Sequence, residues 1–469
     1  MPAVPKPKTT REAKASLAKL HDYSAAQLNR SVIAHRAFEA VVWGMPAVNF
    51  ELLCDATQAV KGAMNQVVYW SKLPDWKLQT LTPNPDVIYL NPFFDTKAAG
   101  PMVMEIPPAE GGSITGSIDD GWQTALEDVG PAGVDMGKGG KYLILPPGYN
   151  DKAPEGYIAL PCETYRSYAI LRSNFKTASD AEVAKAVAYG KRVKVYPLSR
   201  AANPPETKFA DAAGVVYDSL IPYDLRFFAL LDRFVQREPW ITRDKAVIDT
   251  LKSIGIEKGK PFNPDAQMQD ILGTAAADAH AWLDLQYEGI FARQRFVESA
   301  RWALPVFSDV AEAMRNGFAD PDRYPVDGRG VAYSMAYFSP KHPGAGQYYL
   351  ITIRDKDGDA FDGAKAYRLT VPADPPVTLY WSATVYDRVT HALIRDLPHS
   401  SRASTTPGLQ KNTDGSVDVY FTPAAPTGRD NNWVPTSANG NFEVLFRFYG
   451  PQKPLFDKAW VLPDIEKIN

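Results

Sequence analysis

Cysteine is nearly absent from this 469-residue chain, with Cys54 and Cys162 the only two. They allow one disulfide at most, and the sequence leaves open whether they pair. No CxxC pair is present to build a structural zinc site. Histidine is scarce too. His21, His35, His280, His342, His391 and His399 form neither HxH nor HExxH, so no metal is expected, and no organic cofactor either. Positive charge is not in surplus, since 51 Lys and Arg against 54 Asp and Glu give a net charge of −3. Nothing there neutralises a phosphate backbone, so nucleic acid is not an expected partner. No run of 18 or more apolar residues occurs, and no membrane span is expected. Residues Met1 to Lys8 carry no apolar signal region. The compartment stays open: periplasmic or secreted if a leader was removed, otherwise cytoplasmic.

What is present favours several cores. The length suggests two to four domains, and 45% hydrophobic residues supply the apolar surface for them. Tyr and Trp are plentiful, at 23 and 10. Their rings suit β-domain cores, and equally the walls of a site for sugar-like or aromatic ligands.

Residues 10 to 64 read as helical, capped by Thr9 or Thr10, with a break or kink expected at Met45-Pro46 because proline removes a donor. From Gln66 to Pro197, short apolar runs alternate with Pro and Gly punctuation. Gln66–Trp70, Val87–Leu90, Met102–Ile106, Lys141–Leu145, Tyr157–Leu160, Tyr168–Leu171 and Val193–Tyr196 read as strands. A capped helix spans Ser179 to Gly190. Helical periodicity returns over 207 to 316, most clearly in Ile221–Phe234 and Ala266–Phe296. Strands resume at Tyr348–Ile353, Ala366–Val371, Val377–Tyr386, Val417–Phe421 and Phe442–Tyr449. In the last, Phe442, Val444, Phe446 and Phe448 alternate with Glu443, Leu445, Arg447 and Tyr449, giving one polar-leaning face. The expected fold is α+β and mainly β: two jelly-roll-like antiparallel β domains joined by a helical segment. The expected divisions are 1–65 helical, 66–200 first β domain, 201–330 helical link and 331–469 second β domain.

Several segments are distinctive. Val42-Trp43-Gly44-Met45-Pro46, Leu81-Thr82-Pro83-Asn84-Pro85-Asp86, Asp128-Val129-Gly130-Pro131-Ala132-Gly133 and Lys138 to Tyr149 resemble the bacterial domain of unknown function 1254. Tyr380 to Asp387, Asn412 to Val417, Asn432 to Thr436 and Trp460 to Ile465 resemble its usual companion, domain of unknown function 1214. The resemblance covers roughly residues 35 to 465. It implies jelly-roll-like β domains joined by helices, often exported, and it transfers no catalytic residue.

Candidate chemistry must come from the residues themselves. Asp119 and Asp120 end a strand-like run beside Trp122. Paired carboxyls do acid–base work across a glycosidic bond, but strand neighbours face opposite ways, so a partner would come from Asp86, Glu127 or Asp128. An Asp-Gly turn explains the pair as well. The proline-stiffened loop Thr82–Asp86 presents Asn84 and Asp86, then Tyr89. Stiff polar loops make ligand sites, and they also make ordinary turns. The glycine-rich stretch 130–141 lacks the phosphate-loop spacing and reads as a compact surface loop. Asp355 to Asp359 crowds acids without calcium-loop spacing and reads as a hairpin turn. His391 and His399, near Arg402, are candidates for acid–base work. Trp381 and Trp433 are candidate pocket walls; a surface loop with an anchoring Trp is the plainer account. Two functions follow as expectations. One is a hydrolase of a small polar or carbohydrate-like substrate, with Asp86, Asp119, Asp120, His391 and His399 catalytic and Asn84, Tyr89, Trp122, Trp381, Arg402 and Trp433 binding. The other is a non-catalytic protein that holds a small-molecule ligand or assembles as a homo-oligomer.

Overall fold

The computed structural model describes residues 9, 23–336, 340–342, 344 and 346–468. The helical reading of residues 10 to 22, and His21, lie outside the described residues. Within them the chain is mixed α+β with mostly antiparallel sheets. At that level the expected class holds.

The first β unit pairs two sheets. The larger runs in the order Phe209–Asp211, Gln66–Tyr69, Ile88–Asp95, Arg166–Ser173, Ile114–Asp120, Ala125–Val129. Only its first pair is parallel. The smaller sheet joins Lys194–Pro197, Met102–Ile106, Gly140–Leu145 and Ile158–Pro161. Strand side chains alternate between faces, so one face of the larger sheet (Leu90, Ile118, Ala169, Leu171) meets Met102, Met104 and Ile144 in a closed core. The second unit repeats this plan. Gln347–Thr352, Phe442–Pro451, Val377–Asp387 and Ser401–Ala403 form one sheet, and Trp433–Pro435, Val417–Thr422, Ala366–Val371 and Glu466–Ile468 the other. Val444, Phe446, Trp381 and Ala383 meet Leu369, Val419 and Phe421 between them.

The six-stranded sheet of the first unit and the sheet of the second unit that holds Phe442–Pro451 each have a second face, and neither is left to water. Tyr89, Phe93 and Tyr168 of the first unit and Leu445, Tyr449 and Tyr380 of the second share one core with the helices. Those helices are Ala25–Ala59, Leu225–Arg237, Ala266–Arg293 and Val326–Met335. The first begins in a capping box, in which Ser24 and Gln27 hydrogen-bond each other's backbone. By length and composition it is apolar enough to cross a membrane, but 83% of its most apolar window is buried in protein.

Of the break or kink expected at Met45-Pro46, the break does not occur, because the helix runs on through Pro46. Proline at 46 withdraws the donor that would meet the Val42 carbonyl. Gly330 of the neighbouring helix lies against that carbonyl, so close that a Cβ at 330 would sit 2.9 Å from the oxygen. Burial among three other helices offsets the lost bond. The helix is also tied to the first sheet by ions. Buried Glu51 accepts from Arg166 and, at 2.6 Å, from Arg233 Nε, while Arg166 Nε reaches Glu238 at 2.7 Å.

Candidate functional site

Where the two second faces approach each other they enclose a cavity of about 60 Å³. Its walls come from both β units and from the end of helix Val326–Met335. Apolar walls are Leu53, Trp70, Leu81, Ile170, Met335 and Leu445, and the polar groups are Asn84, Tyr89, Asn91, Arg172, Tyr349 and Arg447.

Strand alternation puts these groups there. Arg172 sits opposite Tyr89 across neighbouring strands, and directly opposed residues share a face. Tyr349 and Ser382 flank Arg447 in the same way, and Tyr380 is opposite Tyr449. The loop Thr82–Asp86 lies between the two faces. Asn84 Nδ2 donates to the Tyr380 and Tyr449 hydroxyls, both at 2.9 Å, and its backbone N–H donates to the Tyr89 hydroxyl at 2.9 Å. Arg447 clamps the loop by donating to the Thr82 and Pro83 carbonyls at 2.9 and 3.2 Å, and also holds Thr384 Oγ1 and the Tyr386 hydroxyl. Thr82 itself takes φ of 39°, a region rare for non-glycine residues.

The electrostatics of the cavity are lopsided. Arg172 and Arg447 are both buried, and among the described residues neither has a carboxylate within ion-pair distance. Arg172 Nε and Asn91 Oδ1 are enclosed atoms without a hydrogen-bond partner among the described residues. Two acids lie near the guanidiniums, and burial acts on both. Burial lifts Asp86 above the usual carboxylate range, against the pull of Ser401 and Arg447. Burial, Asp128 and Asp120 lift Asp119 further, against Arg172. One phenol moves the other way. Burial opposes ionisation of Tyr449, but Arg172, Arg447 and hydrogen bonds from Asn84 and Tyr349 outweigh it and hold the group below the ordinary tyrosine range. Burial pushes neighbouring Tyr89, Tyr349 and Tyr380 up.

Of the residues singled out in the sequence, Asn84 and Tyr89 line this cavity. Asp86 lies beside it, taking a hydrogen bond from Ser401 Oγ at 2.8 Å. Asp119 and Asp120 are both buried, and Asp119 Oδ1 has no hydrogen-bond partner among the described residues. Asp120 accepts the Thr124 N–H at 2.8 Å, near Arg243 and Arg329, and burial raises it to about 6. Trp122 packs on Trp43 and Phe234 in the helical core, and Trp381 stacks on Phe446 inside the second sandwich. His399 and Trp433 pair with each other outside this cavity's lining, His399 Nε2 meeting the Trp433 carbonyl at 2.9 Å, with the imidazole lowered to about 4 by burial. Arg402 donates to the Asn431 and Asp430 carbonyls. His391 is not with His399; its Nδ1 meets Glu443 at 2.9 Å and it borders a second cavity. Sequence reasoning missed Arg172, Tyr349, Tyr380, Arg447 and Tyr449. The polar-leaning face of Phe442–Tyr449 was the available signal for the last two.

The glycine-rich loop folds around Asp135, which accepts the Gly130 and Gly139 N–H groups. Asp355 caps its own turn with three backbone N–H groups. Among the described residues no group of three or more His, Cys, Asp or Glu is placed to hold a metal. Both cysteines are buried free thiols, raised to about 12 by burial.

These observations define an α+β protein of two β sandwiches and a helical layer around a cationic, tyrosine-lined cavity. The chain belongs to the family that pairs DUF1254 with DUF1214. The model described as protein of unknown function DUF1254 matches residues 64–197, and that for DUF1214 matches 346–453. No curated protein matches. Among solved structures, the VPA0106 protein from Vibrio parahaemolyticus is similar at 18% identity and TM-score 0.59, over 93% of this chain and 100% of that one. This likeness shows a shared fold. An uncharacterised protein from Burkholderia cenocepacia is 10% identical over 94% of this chain and 96% of its own, with TM-score 0.42.

Proposed function

We propose that the protein binds a small organic anion in the central cavity, its charged group received by Arg172 and Arg447 and its apolar body by Trp70, Leu81 and Leu445. One observation carries this reading: two buried guanidiniums border a cavity with no carboxylate in ion-pair reach among the described residues. An uncompensated buried charge costs several kcal/mol. Folds keep such a cost where a ligand removes it, and Arg suits planar carboxylates through its paired donors. Mostly apolar walls with a few convergent polar groups are also the usual make-up of small-molecule sites. Hydrolysis by carboxylate pairs finds less support, because Asp86, Asp119 and Asp120 each sit in a different setting.

Trp70 in the wall provides the assay. Benzoate should change the tryptophan fluorescence saturably, and its uncharged isostere benzamide should bind at least tenfold more weakly, about 1.4 kcal/mol. Arg172→Met and Arg447→Met should both abolish the benzoate signal. Equal binding of the two probes, or full benzoate binding by Arg172→Met, would remove the proposal.

A further inference from the structure

A second cavity, of about 170 Å³, lies on the other side of Leu81, which borders both. It is walled by Leu220, Ile221, Leu283 and Val389, and one wall carries His391. The geometry points to His391 as a general base working in this second cavity on a small, uncharged, mainly apolar substrate, with Glu443 as its positioning residue. This stands apart from anion binding in the central cavity.

Three observations carry it. Glu443 has no exposure, and both its oxygens are committed, Oε1 to His391 Nδ1 at 2.9 Å and Oε2 to the Tyr287 hydroxyl at 2.7 Å. A carboxylate on Nδ1 fixes the tautomer that bears hydrogen there and leaves a lone pair on Nε2. Secondly, Nε2 has no protein partner among the described residues, and it is not among the enclosed atoms. It therefore opens on the cavity that His391 lines. Thirdly, the backbone is held in an unfavourable conformation to put the ring there. His391 has φ of 53°, fixed by its N–H on the Asp387 carbonyl at 2.9 Å and by its own carbonyl accepting the Thr82 N–H at 2.6 Å. Such strain in a non-glycine residue persists where the surroundings over-determine it. Tyr287 packs edge-on to the ring at 4.9 Å.

Besides the phenols of Tyr223 and Tyr287, the other ionisable groups facing this cavity are His280 and Asp284. His280 is stacked on Tyr223 at 3.9 Å, and Asp284 is paired with Arg388 at 2.7 Å. Neither offers a free cation for an anionic substrate, hence the uncharged class. The step is a proton transfer. As a substrate or water O–H breaks, Nε2 takes the proton, the electron pair stays on oxygen, and Glu443 balances the imidazolium. The oxygen then attacks an acyl carbon, and the departing alkoxide recovers the proton from Nε2 as its bond to that carbon breaks.

Para-nitrophenyl acetate is the probe, a small neutral ester whose release is read by colour. The native protein should hydrolyse it above buffer, and His391→Asn should lower that rate roughly a hundredfold. Asparagine tolerates positive φ and keeps the backbone. Nitrogen-15 spectra of histidine-labelled protein should show His391 protonated at Nδ1 with an unprotonated Nε2, a pattern lost in Glu443→Gln. Diethyl pyrocarbonate needs no variant: it should acylate His391 in the native chain. Hydrolysis unchanged in His391→Asn, an Nε2-protonated tautomer, or a native His391 inert to the reagent would each overturn the assignment.

Discussion

Replacing Arg172 with methionine should make this protein more stable, and the sign of that change tests the reading of the central cavity. In the wild type the guanidinium is buried, makes no hydrogen bond among the described residues and lacks a carboxylate within reach. What it has is the Tyr89 ring at 5.6 Å, beneath its cationic carbon, and the nearby Tyr449 hydroxyl, whose ionisation it favours. Burying an ion without a partner costs several kcal/mol, and replacing buried ions with apolar groups of like volume gains about 1–4 kcal/mol. The cation–π contact returns about 2 kcal/mol at most. Methionine is flexible and of similar length, so repacking costs under about 1.5 kcal/mol. The balance favours the variant by about 0.7 kcal/mol at the middle of these ranges. With a urea slope of about 1–3 kcal/mol per molar, the midpoint should rise by roughly 0.2–0.7 M. The same variant should lose benzoate. Stability up with binding down is the signature of a charge kept for a ligand. A midpoint that falls would mean that Arg172 is already satisfied in the unliganded protein.

Three further outcomes follow. A spectrophotometric titration at phenolate wavelengths should show one tyrosine of the 23 ionising below the ordinary range; Tyr449→Phe should remove that early component, and its survival would assign it elsewhere. Asp120 rises from 3.8 to about 6 on folding, so it costs nothing below the lower value and weakens the fold progressively as pH climbs to the upper one. Asp120→Asn, which keeps an acceptor for Thr124, should flatten that slope and gain up to about 3 kcal/mol at neutral pH; an unchanged pH profile would count against it. Glu51→Gln breaks a buried pairing with Arg166 and Arg233 and should cost about 3–5 kcal/mol in denaturant midpoints; a neutral effect would show that Glu238 and Asp55 suffice for those cations.

The strands were the most readable part of the sequence because their boundaries are local. Met102–Ile106 and Ala366–Val371 fall where the apolar runs end, and Ser179 caps its helix through the Glu182 N–H. Pro46 does not break its helix because the rule about proline is also local, whereas Gly330, which lies against the freed carbonyl, is far along the chain. The site divides in the same way. Asn84, Asp86 and His391 announced themselves as polar residues on stiff or crowded loops, and Tyr89 follows one of them at the start of a strand. Arg172, Arg447 and Tyr449 lie on strands, where alternation reads as one face inside and one in water. The alternation of Phe442 to Tyr449 was seen, but nothing local says that its polar side is roofed by another unit. Trp122 and Trp381 attracted attention as rings beside polar residues, and large buried area placed both in cores instead.

The contact between Thr82 and His391 has a thermodynamic consequence. One short stretch of main chain is the party wall between the two chambers, gripped by Arg447 from one side and by the His391 carbonyl from the other. An occupant that shifts this wall in one chamber alters the fit of an occupant in the other, and by linkage each changes the other's affinity by the same factor.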